Sequence, residues 1–145
     1  MDVFTIGFTQ TTAESFFTRL RDAGVVRVLD IRLRNDSQLA GFAKARDLPY
    51  FLRELIAADY EHEPLLAPTA EIMDAYKKRK GSWEDFAPEF RGLLAERAVE
   101  EVLDRGDFER PTALLCSEAE AAHCHRSLVV AYLDERWGGM TPVDL

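Results

Sequence analysis

Hydrophobic spacing along the chain switches between the periods of strand and helix, beginning with a short apolar run. Val3 to Gly7 (VFTIG) is rich in strand formers and ends at glycine, which predicts a first strand. Thr11 and Glu14 have the spacing of a capping box, and Phe16, Phe17 and Leu20 share one face of the helix that follows before Gly24. VVRVLDI at 25–31 is dense in β-branched residues, the pattern of a strand covered on both faces. Strand, helix and strand in this order predict a βαβ unit, with a parallel pair and a right-handed crossover.

Residues 32–46 have no period and predict a long loop, a kind of segment that often carries function. Asp47 can cap a helix that runs to about Ala58, with Leu48, Phe51, Leu52, Leu55 and Ile56 at helical spacing. YEHEPLLAP at 60–68 reads as extended, and Glu71 to Lys80 as a helix whose basic end suits the dipole. Ser82 to Asp85 resembles a second capping box. Pro88 interrupts that pattern, and Phe90, Leu93, Leu94, Ala98, Val102 and Leu103 make a stripe that ends at Gly106. Thr112 to Cys116 predicts another strand, and 124–137 a helix with Leu128, Val129, Tyr132 and Leu133 inward. The closing MTPVDL adds a short edge strand. This order predicts one α/β domain over 1–145, a three-layer, mostly parallel sheet flanked by helices, Rossmann-like or rhodanese-like.

Composition agrees with one folded domain: 145 residues, 47% hydrophobic and 30% charged. The formal net charge of −8 argues against a general nucleic-acid or anionic-membrane binder, though it leaves room for a local basic pocket. No apolar stretch approaches the ~20 residues of a membrane helix. MDVFTIGFTQ has neither the charged start nor the long apolar segment of a signal peptide. With 2 cysteines the chain is not a disulfide scaffold, and the expectation is a cytoplasmic protein with its thiols reduced.

In open parallel sheets, ligands bind beyond the carboxyl ends of the strands. The predicted strands deliver Gly7, Phe8 and Thr9 there, then Asp30 and Arg32, then Cys116, Ser117 and Glu118. The segment LLCSEAEAAHCHRSL (114–128) also carries His123, Cys124, His125 and Arg126. Cys124 near a helix start, beside Arg126, should be shifted toward thiolate, while Cys116 at the rim would have access. The ordinary alternative for Cys116 is a buried core cysteine. Cys116, Glu118, His123, Cys124 and His125, with His62 as a distant member, are also metal-ligand types. Their C-x7-C-H spacing nevertheless lacks the second half of a structural zinc site. A Cys116–Cys124 disulfide is a third reading. Arg126 opposes the helix dipole unless it meets an anion, whether Asp30, Glu118 or a substrate phosphate or carboxylate. Asp30 and Arg32 either pair at the surface or join the site, and Lys77 to Lys80 reads as a solvated helix end.

In series these stretches resemble domain-of-unknown-function family 488. TIGFT (5–9) is similar to its opening segment, VLDIR (28–32) to its V-D-V-R strand end, and Ser37 and Phe42 fall in the loop that follows. YEHEPLLAP resembles its Y-x-H-x-P-x-L-G-G stretch, and LLCSE (114–118) with CHR (124–126) its most distinctive feature. Phe8 stands where the family commonly has histidine, Asn35-Asp36 replaces a usual proline, and Ala67-Pro68 replaces a glycine pair, marks of a divergent member.

The residues thus point first to a small enzyme with Cys116 or Cys124 as thiolate nucleophile. Arg126 and Arg32, with Asp30, Thr9, Ser37 and His62, would bind an anionic small molecule or nucleotide, and Asp30, Glu118 or His125 would handle protons. A non-catalytic module that binds a nucleotide, a nucleic-acid end or a protein is the second reading. A zinc or iron protein using Cys116, Cys124 and His125 or His62 is the third.

Overall fold

A computed structural model of the chain describes residues 1–36, 41–118 and 123–145. The β-rich runs form strands β1 (Asp2–Gly7), β2 (Arg27–Asp30), β3 (Asp59–His62), β4 (Thr112–Cys116) and β5 (Thr141–Asp144). They make one sheet in the order β3-β2-β4-β1-β5, and every neighbouring pair is parallel. Every residue of β2 and β4 is buried, including the charged Arg27 and Asp30 at the two ends of β2. The edge strands β3 and β5 are polar and mostly exposed, and Pro142 is tolerated on β5 because an edge leaves it a free side.

Side chains alternate across the sheet and divide the core in two. Ile6, Val28, Ala113 and Leu115 meet Phe16, Phe17 and Leu20 of α1 (Ala13–Asp22) and Leu48 and Leu52 of α2 (Leu48–Ile56). On the other face, Leu29, Leu114 and Cys116 meet Phe86, Phe90 and Leu94 of α4 (Trp83–Glu96) and Val129 and Leu133 of α6 (His125–Trp137). The same side carries α3 (Ala70–Lys77) and the short α5 (Val99–Val102). The result is the expected three-layer α/β fold, all parallel rather than mostly so. Among the described residues, no helix is long and apolar enough to cross a membrane.

Several local readings change. The cap of α1 is Thr12, whose hydroxyl accepts the Ser15 N–H at 3.0 Å, while the Thr11 hydroxyl is taken by Arg19 at 3.1 Å. Asp47 begins α2 without a side-chain cap bond, and Ala57 ends the helix in the left-handed region at φ 53°. The extended 60–68 stretch is split between β3 and a single 3₁₀ turn at Pro64–Leu66. Pro88 lies inside α4 rather than interrupting it, because losing one ladder bond is outweighed by burial of Phe86, Phe90 and Leu94. The stripe from Phe90 to Leu103 breaks at Ala98, at φ 49°, which separates α4 from α5 and leaves Val102 60% exposed.

The register Gly7↔Cys116 and Asp30↔Leu115 brings the ends of β1, β2 and β4 to one rim. Gly7 is obligatory there: a Cβ would lie 1.7 Å from the Glu118 carbonyl oxygen and 2.9 Å from Arg126 Nη1. Gly7→Ala must therefore push the 117–118 backbone off the rim. The expected loss is about 1–3 kcal/mol of stability, the usual range for overpacking, read from urea unfolding.

Candidate functional site

Asp30 ends β2 fully buried, and a buried carboxylate must be paired to persist. It accepts the Arg32 backbone N–H at 3.1 Å and, through both oxygens, Arg32 Nε and Nη2 at 2.8 Å each. The Tyr60 hydroxyl of β3 adds a 2.5 Å bond to Asp30 Oδ2. The Tyr60 phenol is raised well above its usual range, first by burial and then by that bond to the carboxylate. Arg32 is 2% exposed and lies over the Phe8 ring at 5.3 Å. Its Nη1 has no hydrogen-bond partner among the described residues, and the side chain lines a cleft. The salt-bridge alternative is thus met, in the interior rather than at the surface, and Arg32 also lines the cleft.

The backbone after Asp30 is clamped by histidines from two other elements. His62 Nε2 lies 3.0 Å from the Arg32 carbonyl, and His125 Nε2 2.7 Å from the Ile31 carbonyl. A carbonyl only accepts, so each Nε2 carries a proton directed at it. His125 is buried and its pKa is pushed down to about 4, mainly by burial, with Arg126 and Lys77 adding to the shift. Its neutral Nδ1 lies 4.0 Å from Cys124 Sγ.

Cys124 is the N-cap residue of α6 and Cys116 the last residue of β4, and the two are joined in a disulfide with Cα atoms 7.4 Å apart. The disulfide reading therefore describes this state, and the expectation of two reduced thiols does not. Cys116 is also completely buried, so the access expected from its place at the rim is absent. Cys124 is the cysteine that lines the cleft. The Arg126 guanidinium donates to Cys116 Sγ at 3.1 Å and to the Glu118 carbonyl, which places acceptors beside a cation at a helix start.

The cleft holds about 250 Å³ between the end of β2, the 117–118 segment, the start of α6, α3 and α4. Of the site residues expected from the sequence, Arg32, Glu118, Cys124 and His125 line it, whereas Asp30, Cys116 and Arg126 do not. Asp30 is buried behind Arg32, His62 braces the Arg32 carbonyl, and Thr9 bonds the Ser117 carbonyl from an exposed position outside the cleft. Ser37 lies outside the described residues. The opposite wall is supplied by Met73, Tyr76, Lys77 and Phe86, with Arg34 and His123. Lys77 is not simply a solvated helix end: its Nζ meets Glu118 Oε1 at 2.6 Å. The His123 ring stacks on Trp83 at 5.2 Å. In the sequence Met73, Tyr76, Lys77 and Phe86 carry only helix periodicity and a basic helix end, which could not reveal that α3 and α4 face the β4 rim.

One family model, described as "Domain of unknown function DUF488", matches residues 12–133. The chain belongs to the DUF488 family. No curated protein and no solved structure matches it. The DUF488 match spans the β2 end, the β4 end and the CHR segment, and so contains most of the cleft. Phe8, outside that span where the family commonly has histidine, is a core ring beneath Arg32.

Two outcomes test this arrangement. Asp30→Asn leaves the Arg32 charge buried without its counter-ion and should cost about 3–5 kcal/mol in urea unfolding. Tyr60→Phe removes a hydrogen bond to a charged group and should cost about 1.5–3 kcal/mol at neutral pH. Because the folded-state pKa of Tyr60 is raised above its ordinary value of 10.0, its contribution is complete below that pH. It is lost as pH rises beyond 10.0, where the unfolded chain ionises first. Wild-type stability should fall in that alkaline window more steeply than that of Tyr60→Phe.

Proposed function

We propose that this DUF488 protein binds an anionic small molecule or nucleotide in the cleft and acts on it through the Cys124 thiolate. The observation that carries this reading is the buried Arg32 side chain in the cleft wall that also contains Cys124. Its Nη1 still has hydrogen-bonding capacity for an anion. The positive end of the α6 dipole and the Lys77 ammonium add to the attraction. Tyr76, Phe86 and His123 offer apolar and aromatic wall for a planar portion of the ligand.

The disulfide must open before Cys124 can act. An external thiol attacks Cys124 Sγ, and Cys116 leaves as a thiolate beside Arg126. A second thiol then releases Cys124, so the dithiol gains two electrons and the external thiols become a disulfide. The released Cys124 thiolate lies at a helix start in the wall of the cleft that would hold the anion. Asp30 has no proton-handling role in this scheme, since it is the fixed counter-ion of Arg32.

Reduced protein treated with iodoacetamide at pH 7 should alkylate Cys124 faster than a model thiol, and Cys116 far more slowly. Isothermal titration with nucleoside monophosphates and with inorganic phosphate should show binding. Lys77→Met, which leaves the core untouched, should weaken that binding about 3- to 10-fold, the worth of one partly exposed charge contact. Unreactive thiols together with normal anion binding would reduce the protein to a binding module. Absence of binding would sink the reading altogether.

A further inference from the structure

We infer that, once reduced, Cys116, Cys124 and His125 form a three-ligand site for a borderline-soft divalent cation of the zinc class, with its fourth position open to the cleft. One ligand atom each of Cys116, Cys124 and His125 lies within 4.8 Å of the other two, and all three residues are buried. Zinc bonds of about 2.3 Å to sulfur and 2.0–2.1 Å to nitrogen put tetrahedral donors roughly 3.5–3.8 Å apart. His125 Nδ1 is already 4.0 Å from Cys124 Sγ. The cysteine Cα atoms stand 7.4 Å apart, wider than the usual disulfide span of about 4.4–6.8 Å, so the sulfurs can part around an ion without drawing the backbone closer.

The surroundings favour a ligand set over a chance cluster. The Ile31 carbonyl takes the Nε2 proton of His125, which fixes the tautomer that turns the Nδ1 lone pair toward the sulfurs. Arg126 Nη1 donates to Cys116 Sγ, an outer contact that supports a thiolate. Two thiolates neutralise a divalent cation, so the bound centre adds no net charge to the interior. Cys124 and His125 line the cleft while Cys116 lies behind them, so the remaining coordination position faces the cavity. Three protein ligands with one open position are the pattern of a reactive rather than a structural zinc site. Its natural fourth ligand is an anionic oxygen or water.

Binding of the ion and nucleophilic use of Cys124 are mutually exclusive states of one cleft. Reduced wild-type protein, freed of metal by chelation, should bind one equivalent of Zn²⁺ in competition with a chromophoric chelator. Co²⁺ should give the thiolate-to-metal charge-transfer absorption of a sulfur-ligated ion, and Zn²⁺ should protect both cysteines from iodoacetamide. Cys124→Ser should weaken binding by more than about tenfold and roughly halve the Co²⁺ thiolate band of any ion still bound. His125→Gln keeps a donor for the Ile31 carbonyl but removes the Nδ1 ligand, and should weaken Zn²⁺ by a similar factor while circular dichroism stays native. The inference is overturned if wild-type protein binds Zn²⁺ no more tightly than Cys124→Ser, or if a natively folded His125→Gln binds it as wild type does. Rapid alkylation of Cys124 in metal-free protein that ignores Zn²⁺ would reject the metal site while leaving the thiolate reading standing.

Discussion

The buried pair of Asp30 and Arg32 is the constraint on which the site depends. A carboxylate at the end of an interior strand is costly to desolvate unless a cation meets it with good geometry. Here the chain turns back within two residues to supply that cation through both oxygens. Around this turn the backbone is held on every side. The Asp30 carbonyl accepts Glu63 N–H at 2.8 Å, Ile31 N–H donates to Leu115 at 3.1 Å, and the next two carbonyls take His125 and His62. One short segment thereby sets the position of β3, β4, α6 and the cleft cation together.

The same turn connects the Arg32 side chain in the cleft wall to the cysteine pair. Its Ile31 carbonyl orients His125, whose other nitrogen faces the cysteine pair, while its Arg32 side chain lies in the wall of the same cleft. An anion drawn by Arg32 would therefore arrive beside Cys124. Phe8, Asn35 and Ala67 each have a defined place around this arrangement. Phe8 packs under the guanidinium, Asn35 accepts the Ala45 N–H at 2.7 Å through its carbonyl, and buried Ala67 offers its carbonyl to Arg97 at 2.7 Å.

Much of the architecture was legible because strand burial leaves a strong signature. TALLC and VFTIG mark strands within a residue of their observed bounds, and the edge strand after Gly139 was readable from MTPVDL. Caps were less secure: Thr11 and Thr12 offer the same hydroxyl, and only Arg19 reaching back decides between them. The break at Ala98 was invisible, since an apolar stripe continues through it. There the Arg97 side chain, bound to the Leu65 and Ala67 carbonyls, ties the end of α4 to a distant loop.

By itself, the sequence determined the α/β class, the parallel rim and the residues that gather there, because periodicity and strand-end position are local properties. It also determined that both cysteines flank that rim. Only the tertiary structure decided which cysteine faces the cleft, that Asp30 serves Arg32, and that α3 and α4 complete the wall with Lys77 and Tyr76. Those outcomes depend on which way a side chain points once sheet and helices have packed. Burial and pairing energies decide that direction, and they arise between residues far apart in the chain.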